Sequence, residues 1–352
     1  MSGSIRVNPQ KMRELAKAVF MAKDLPEQDA EEIADCLVEA NLTGKASHGL
    51  LRIKCYVSRL DRGGVDPHGK ARTVFETPTT AVLDAGNAMG MVTGRDAAQL
   101  TREKARKSGM AFVTVRNGEH YGAASYWAER IAQDDMIAFS STNCEPLMAP
   151  PGGKKVALGT NPVCVCVPTA SYGNVCLDIA TSMVAQGKLF DYKLRHRELG
   201  QGWAVDENGI PTTDPEKAVY LTPFAAHKGY GLAVIVEILC SVLSGGGIGS
   251  EIHSLLNEPD KPNNVSFCFM GMRIDAFRDP EEFRKDMDRF VEYLHATPAA
   301  EGARVLFPGE IEMETKKRNE ASGFEIPESL ADDLKEIAEK LGIRDAGQYF
   351  TA

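Results

Sequence analysis

From residue 73 the chain alternates strand and helix patterns, and this alternation constrains its fold more than any single motif. Thr80-Ala81-Val82-Leu83-Asp84 reads as a strand, a helix follows from about Thr93 to Ser108, and Met110 to Val115 reads as the next strand. The run 73–76 reads as a further strand, followed past 115 by a helix over 121–133 and strands at 136–141, 163–168 and 174–179. The middle of the chain is therefore mixed α/β. Before it, residues 8–23 and 26–43 carry apolar positions at helical spacing (Met12, Leu15, Ala16, Val19; Ile33, Leu37, Val38), with Pro26 at a helix start. A third helix is expected from Ser47 to about Gly63-Gly64. Towards the end lie an apolar helix opened by Lys228, a strand over 265–274, a charged helix at 280–296, the loop Phe307-Pro308-Gly309-Glu310 and a helix near 327–341. The charge run Glu312 to Glu320 reads as a solvated face.

At 352 residues the chain exceeds the usual size of one core, so two lobes are expected. A formal net charge of −9 argues against a nucleic-acid partner. The first seven residues lack the basic-then-apolar pattern of a signal peptide, and the apolar run Leu232 to Leu243 is interrupted by Glu237, so a cytoplasmic protein without a membrane span is expected. Eight cysteines are scattered through apolar runs, with Cys164 and Cys166 alternating on one strand face. That spacing predicts small buried hydrophobes, with no disulfide, no structural zinc and no metal site.

Five segments carry residues suited to chemistry. In Lys45-Ala46-Ser47-His48-Gly49-Leu50-Leu51-Arg52, Ser47 as N-cap would place His48 and Arg52 one turn apart on one face. An arginine grips a carboxylate bidentately while a histidine beside it exchanges a proton with a neighbouring oxygen; an ordinary capped surface helix explains the same residues. Gly118-Glu119-His120-Tyr121-Gly122 follows a strand and precedes a helix, where α/β folds collect ligands, although His120 could equally cap that helix. Gly159-Thr160-Asn161-Pro162 is a turn able to aim a hydroxyl and N–H groups at a ligand. Asp178, ending a strand ahead of Thr181-Ser182, could position a nicotinamide carboxamide, orient a histidine or simply cap. Lys228-Gly229-x-Gly231 offers an ammonium and N–H groups at a helix start, suited to a phosphate, while close helix packing explains the glycines almost as well. No Gly-x-Gly-x-x-Gly, P-loop or Gly-x-Ser-x-Gly elbow occurs.

The order of Ser47-His48-Gly49-x-x-Arg52, Gly118-x-His120-x-Gly122, Gly159-Thr160-Asn161-Pro162, Asp178-x-Ala180-Thr181-Ser182, His227-Lys228-Gly229-Tyr230-Gly231 and Pro308-Gly309-Glu310 resembles the type-2 malate/L-lactate dehydrogenase family. The resemblance implies an oxidoreductase that uses NAD or NADP on a small-molecule carboxylate substrate, usually as a homodimer. It implies an α/β mixed-sheet, non-Rossmann NAD(P)-binding domain over 73–299, and a helical substrate-side domain built from 1–72 with 300–352. By the same resemblance His48 is the proton donor to the substrate carbonyl, Ser47 stands beside it, Arg52 holds the carboxylate and His120 lines the cleft as an alternative acid/base. Ser141, Thr160, Asp178, Ile179, Ala180, Lys228, Gly229, Pro308, Gly309 and Glu310, with His120, match cofactor-contact segments. Departures are mild: Ile179 stands where methionine is common, and Gln186 where a smaller or apolar residue often sits. Arg195, His196 and Arg197 form a basic cluster able to meet a 2′-phosphate, or a solvated loop. The rival readings are reduction of a cyclic imine acid such as piperideine-2-carboxylate, and a non-catalytic ligand-binding homologue.

Overall fold

The computed structural model describes residues 3–350. The chain opens with β1 (Ser4–Val7), α1 (Pro9–Ala22) and α2 (Glu27–Leu42), and reaches α3 (Ile53–Asp61) through two short 3-10 turns. A seven-stranded sheet follows, built from β2 (Arg72–Glu76), β3 (Thr80–Asp84), β4 (Met110–Gly118), β5 (Met136–Thr142), β6 (Val163–Pro168), β7 (Asn174–Ile179) and, much later, β11. Helices α4 (Gly90–Ser108), α5 (Ala124–Ala132) and α6 (Gln186–Leu194) connect these strands or follow them. A small sheet of β8 (Ala204–Val205), β9 (Pro211–Thr212) and β10 (Tyr220–Leu221) leads to α7 (His227–Glu237), which runs on into a π turn, Ile238–Val242. The remaining elements are β11 (Val265–Arg273), α8 (Pro280–His295), α9 (Glu310–Ser322), β12 (Phe324–Pro327) and α10 (Glu328–Lys340).

In the large sheet the order is β2-β3-β4-β11-β5-β6-β7, and only β3 and β4 run parallel. Those two strands flank α4, as a parallel pair requires a crossover and the strand–helix–strand pattern of 80–115 foretold. On one face, α4 and α5 bury Trp127 and Tyr121 against Phe267 and Phe269 of β11, with Tyr121 and Phe267 stacked at 4.8 Å. Val236 and Cys240, from α7 and its π turn, pack on the opposite face beside Cys268 and Val163. Covering a sheet on both faces explains why its inner strands read as nearly continuous apolar runs.

The two ends of the described chain meet: β1 pairs antiparallel with β12, Ser4 opposite Pro327. Helices α1, α2 and α10 pack together there, and their apolar faces join the same core that runs beneath α4 and α5. Asn8 caps α1 by accepting from the N–H groups of Gln10 and Lys11, with Pro9 at the first helical position.

Two expectations need correction, and one is refined. The helix expected from Ser47 is interrupted: Ala46–His48 and Leu50–Arg52 are separate 3-10 turns divided by Gly49, whose ψ of −147° is incompatible with a helix. The charge run 312–320 is solvated as expected, and it lies on α9, which has too little apolar face to betray itself in sequence. Disulfide bonding, not expected from the spacing, is present: Cys166 and Cys176 lie opposite each other in the β6–β7 register and are joined. A ten-residue separation hides a pairing that only the register reveals. Cys164 stands beside them, its sulfur 3.7 Å from that of Cys176. Among the described residues these three form the one Cys/His/carboxylate group compact enough to share an ion, and with two sulfurs joined to each other they offer a single thiol. No helix of the described residues is long and apolar enough to cross a membrane.

Candidate active site

Gly49 sets the geometry of the segment that carries His48 and Arg52. A Cβ at this position would lie 2.0 Å from Asn41 Oδ1 and 3.1 Å from the Leu37 carbonyl, so only glycine lets the two 3-10 turns press onto α2. Asn41 then accepts the Leu50 N–H at 2.8 Å and locks the seat. Ser47 does not cap a helix; its hydroxyl lies 3.0 Å from His48 Nδ1. Arg52 folds back so that its Nε donates to the Ser47 carbonyl at 2.8 Å, and among the described residues no carboxylate forms an ion pair with its guanidinium.

His120 comes to the same place from the end of β4. Its ring stacks on that of His48, centroids 5.5 Å apart. Tyr56, one turn past Arg52 in α3, places its hydroxyl 2.6 Å from His120 Nδ1, and the Gly122 N–H points at the same nitrogen from 3.4 Å. A backbone N–H can only donate, so Nδ1 accepts and the ring proton sits on Nε2. Tyr56 was not singled out in the sequence; its position one further turn along the His48–Arg52 spacing was the available signal.

Lys45 is the second residue that sequence reasoning passed over. Its ammonium is ion-paired with Asp178 and donates to Ser125 Oγ at 2.6 Å, bridging the segment before His48 to the end of β7 and to α5. Burial opposes the Lys45 charge, but Asp178 outweighs it and holds the lysine above its ordinary value. Asp178 is correspondingly held low, Lys45 and Ser125 overcoming the cost of burial.

Burial, then the nearby Arg52 and Lys45, push His48 down to about 4, with Asp178 acting the other way. His120 also sits well below its ordinary value, through burial, Arg52, His48 and Arg59. Both rings are therefore neutral at neutral pH. That suits a base that removes a hydroxyl proton, and as a donor such a group needs the charge of a bound partner to be protonated.

The segments expected at a cofactor converge on Thr181. Its N–H and its hydroxyl both donate to the Thr160 carbonyl at 2.8 Å, while its own carbonyl accepts the Phe224 N–H at 3.0 Å. Gly229 packs flush against this hub, since a Cβ there would lie 2.5 Å from the Thr181 carbonyl. Lys228 beside it is exposed at the start of α7, and among the described residues it has no ion-pair partner. Pro308 joins through its carbonyl, which accepts the Cys176 N–H at 2.8 Å, and Ile179 is 37% exposed at the end of β7. An unpaired ammonium at a helix start, near a strand end that exposes Ile179 and part of Ala180 while Asp178 is engaged by Lys45, fits the phosphate and amide groups of a dinucleotide.

Two residues expected among the contacts are spent inside the fold instead. Ser141 is fully buried and donates to the Pro162 carbonyl at 2.5 Å. Glu310, 6% exposed, accepts from the Phe307 N–H and is paired with His295 and Arg304. The basic cluster is likewise engaged: His196 pairs with Glu216 and Arg197 lies over the Tyr192 ring.

A family model described as malate/L-lactate dehydrogenase matches residues 7–335. The chain belongs to the malate/L-lactate dehydrogenase family. One relative is the L-sulfolactate dehydrogenase of Methanocaldococcus jannaschii, 37% identical over 96% of this chain and 97% of that protein. Its solved structure superposes with a TM-score of 0.93 at 36% identity, covering 99% of this chain and 100% of the other. The NAD(+) ureidoglycolate dehydrogenase of Escherichia coli K12 is 29% identical over 93% of this chain and 94% of its own length. The solved delta1-piperideine-2-carboxylate reductase of Pseudomonas syringae pv. tomato matches with a TM-score of 0.86 at 26% identity, over 95% of this chain and 99% of that one. Membership makes the chain an oxidoreductase of the dehydrogenase type.

Proposed function

We propose that this protein interconverts a small 2-hydroxy acid and its 2-oxo acid at the His48–Arg52–His120 cluster, using NAD or NADP. The carrying observation is the unpaired Arg52 guanidinium set beside two stacked, neutral histidines. Arg52 holds the C1 carboxylate through its two free Nη groups, which fixes C2 next to the rings. His48 takes the proton from the C2 hydroxyl during oxidation and returns it to the oxygen during reduction; Ser47 steadies its Nδ1. His120, locked by Tyr56 and Gly122, directs its Nε2–H at the same oxygen and stabilises developing negative charge there. The Thr160, Asp178–Ala180, Lys228–Gly229 and Pro308–Gly309 segments would hold the nicotinamide cofactor, whose chemistry would be hydride exchange with C2. Ser141 and Glu310 hold two of those segments from within.

The test is optical cofactor oxidation with NADH and NADPH in parallel across 2-oxo acids and piperideine-2-carboxylate, and the reverse reaction with the hydroxy acids. Turnover of an oxo acid is the expected result. The structural match to the piperideine-2-carboxylate reductase supports a second reading, in which Arg52 holds the same carboxylate and the ring nitrogen receives the proton; turnover of the imine alone selects it. In the oxidative direction kcat/KM should be flat from neutral pH downward and fall as the solution approaches the His48 value of about 4, because only the neutral ring accepts the proton. A limb near the ordinary histidine value would remove His48 from this role.

The lobe division of the family is proposed here too, a cofactor lobe over 73–299 and a substrate-side lobe from 1–72 with 300–352, as is a cytoplasmic homodimer. What supports the dimer is an apolar stripe along α7 and its π turn: Ile235, Ile238, Val242 and Leu243 are 43–57% exposed although that helix is apolar on nearly every side. Ile238→Glu should convert the dimer to a monomer by light scattering at micromolar concentration. An unchanged mass would place the interface elsewhere.

A further inference from the structure

We propose that the substrate is a monocarboxylate whose tail is uncharged, apolar and longer than a methyl group, received by the cavity that Arg52 lines. The proposal deepens the reading above and rests on it. Sequence alone offered no side chain to sort lactate-like from malate-like or sulfolactate-like substrates. Charge pairing around the histidines supplies one.

Five cations stand on the segments that build this part of the molecule. Lys45 is paired with Asp178, Lys54 with Asp333, Arg59 with Glu119 and Lys261 with Glu258. The Arg59 pair is the most thoroughly spent: the guanidinium, fully buried, meets both Glu119 oxygens at 2.8–3.0 Å and also donates to the carbonyls of Lys261 at 2.7 Å and Glu258 at 3.2 Å. Of these five, Arg52 alone forms no ion pair with a carboxylate among the described residues. One free guanidinium accommodates one carboxylate. A second anion on the same substrate would surrender hydration and meet on this wall only Lys54, for which it would compete with Asp333.

The walls agree with the charges. A cavity of about 380 Å³ beside Arg52 is lined by Leu51, Cys55, Leu255, Leu256 and Pro259, with Ser58 and the Asp333-paired Lys54 also on its wall. Pyruvate's methyl would leave most of that volume to water, whereas a branched or aromatic tail displaces it. Glu145 borders the same wall, and burial pushes its carboxyl above its ordinary value. It accepts from Ser254 Oγ at 3.5 Å and from the Leu255 N–H, so it adjoins the loop that forms the apolar wall.

The test compares kcat/KM of the purified full chain for 4-methyl-2-oxopentanoate, phenylpyruvate, pyruvate, oxaloacetate and sulfopyruvate, with each nicotinamide cofactor. The first two should exceed oxaloacetate and sulfopyruvate by about 10²-fold, and pyruvate by about tenfold or more. Leu256→Arg, a change at a residue 58% exposed that the fold tolerates, adds a second cation to the wall and should raise oxaloacetate use about tenfold relative to 4-methyl-2-oxopentanoate. Oxaloacetate or sulfopyruvate in front, or pyruvate equal to the branched acid, overturns the tail assignment while leaving the 2-oxo acid reading standing. A Leu256→Arg protein that folds and shows an unchanged ratio also overturns it, by placing the tail outside this cavity. Silence on every oxo acid removes the reading itself, and the proposal with it.

Discussion

Replacing His48 by alanine should lower kcat by about 10³-fold, within the range a single acid/base residue contributes, while the cofactor dissociation constant changes little. The expectation follows from where the ring sits: between Arg52, which would hold the substrate carboxylate, and the stacked His120. Stopped-flow turnover together with fluorescence titration of bound NAD(P)H separates the two quantities. Near-normal turnover would shift the acid/base role to His120, whose Tyr56 hydrogen bond at 2.6 Å gives it a proton source of its own. Tyr56→Phe then becomes the informative variant, since it removes the hydroxyl and keeps the ring in the core.

Arg52→Ala should act on binding instead. Losing a bidentate partner for a carboxylate raises KM by about 10²-fold or more, and kcat follows only as far as C2 loses its alignment. Arg52→Lys should recover part of the charge and little of the alignment, because an ammonium lacks the planar fork. The same variants carry an internal check. Arg52 is one of the charges that hold His48 and His120 low, so its removal should move the acidic limb of the oxidative pH profile upward. An alanine variant with unaltered KM would mean that the substrate carboxylate is held elsewhere.

Where local pattern dominates, the fold was legible before the structure. Strands β6 and β7 were read at their observed limits because Val163 to Pro168 and Asn174 to Ile179 carry strand-forming residues between turn signals. Segment 46–52 misled, because a serine followed by a helical spacing resembles a capped helix, and the extended backbone at Gly49 is set by its contact with Asn41 on α2. Of the candidate site, the residues that carry their chemistry visibly could be singled out, and the fold brings His48, Arg52 and His120 together. Tyr56 and Lys45 were not, since their partners His120 and Asp178 stand 64 and 133 residues away and are met only through the folded chain. Ser141 and Glu310 show a further difference: a motif names a residue without showing which partner its side chain takes inside the fold, here the Pro162 carbonyl and the Phe307 N–H.

The pairing of β1 with β12 sets an order of assembly. During synthesis the strands from β2 to β11 emerge and can pair among themselves, but Ser4–Val7 must wait for Phe324–Pro327, over three hundred residues later, to gain a neighbour. The helices beside His48 and Arg52 share that wait. A chain interrupted before residue 324 would thus leave Ser4–Val7 without a partner strand and the core that α10 shares with α1, α2 and the sheet open on one side, so the last thirty residues seal what the first forty began.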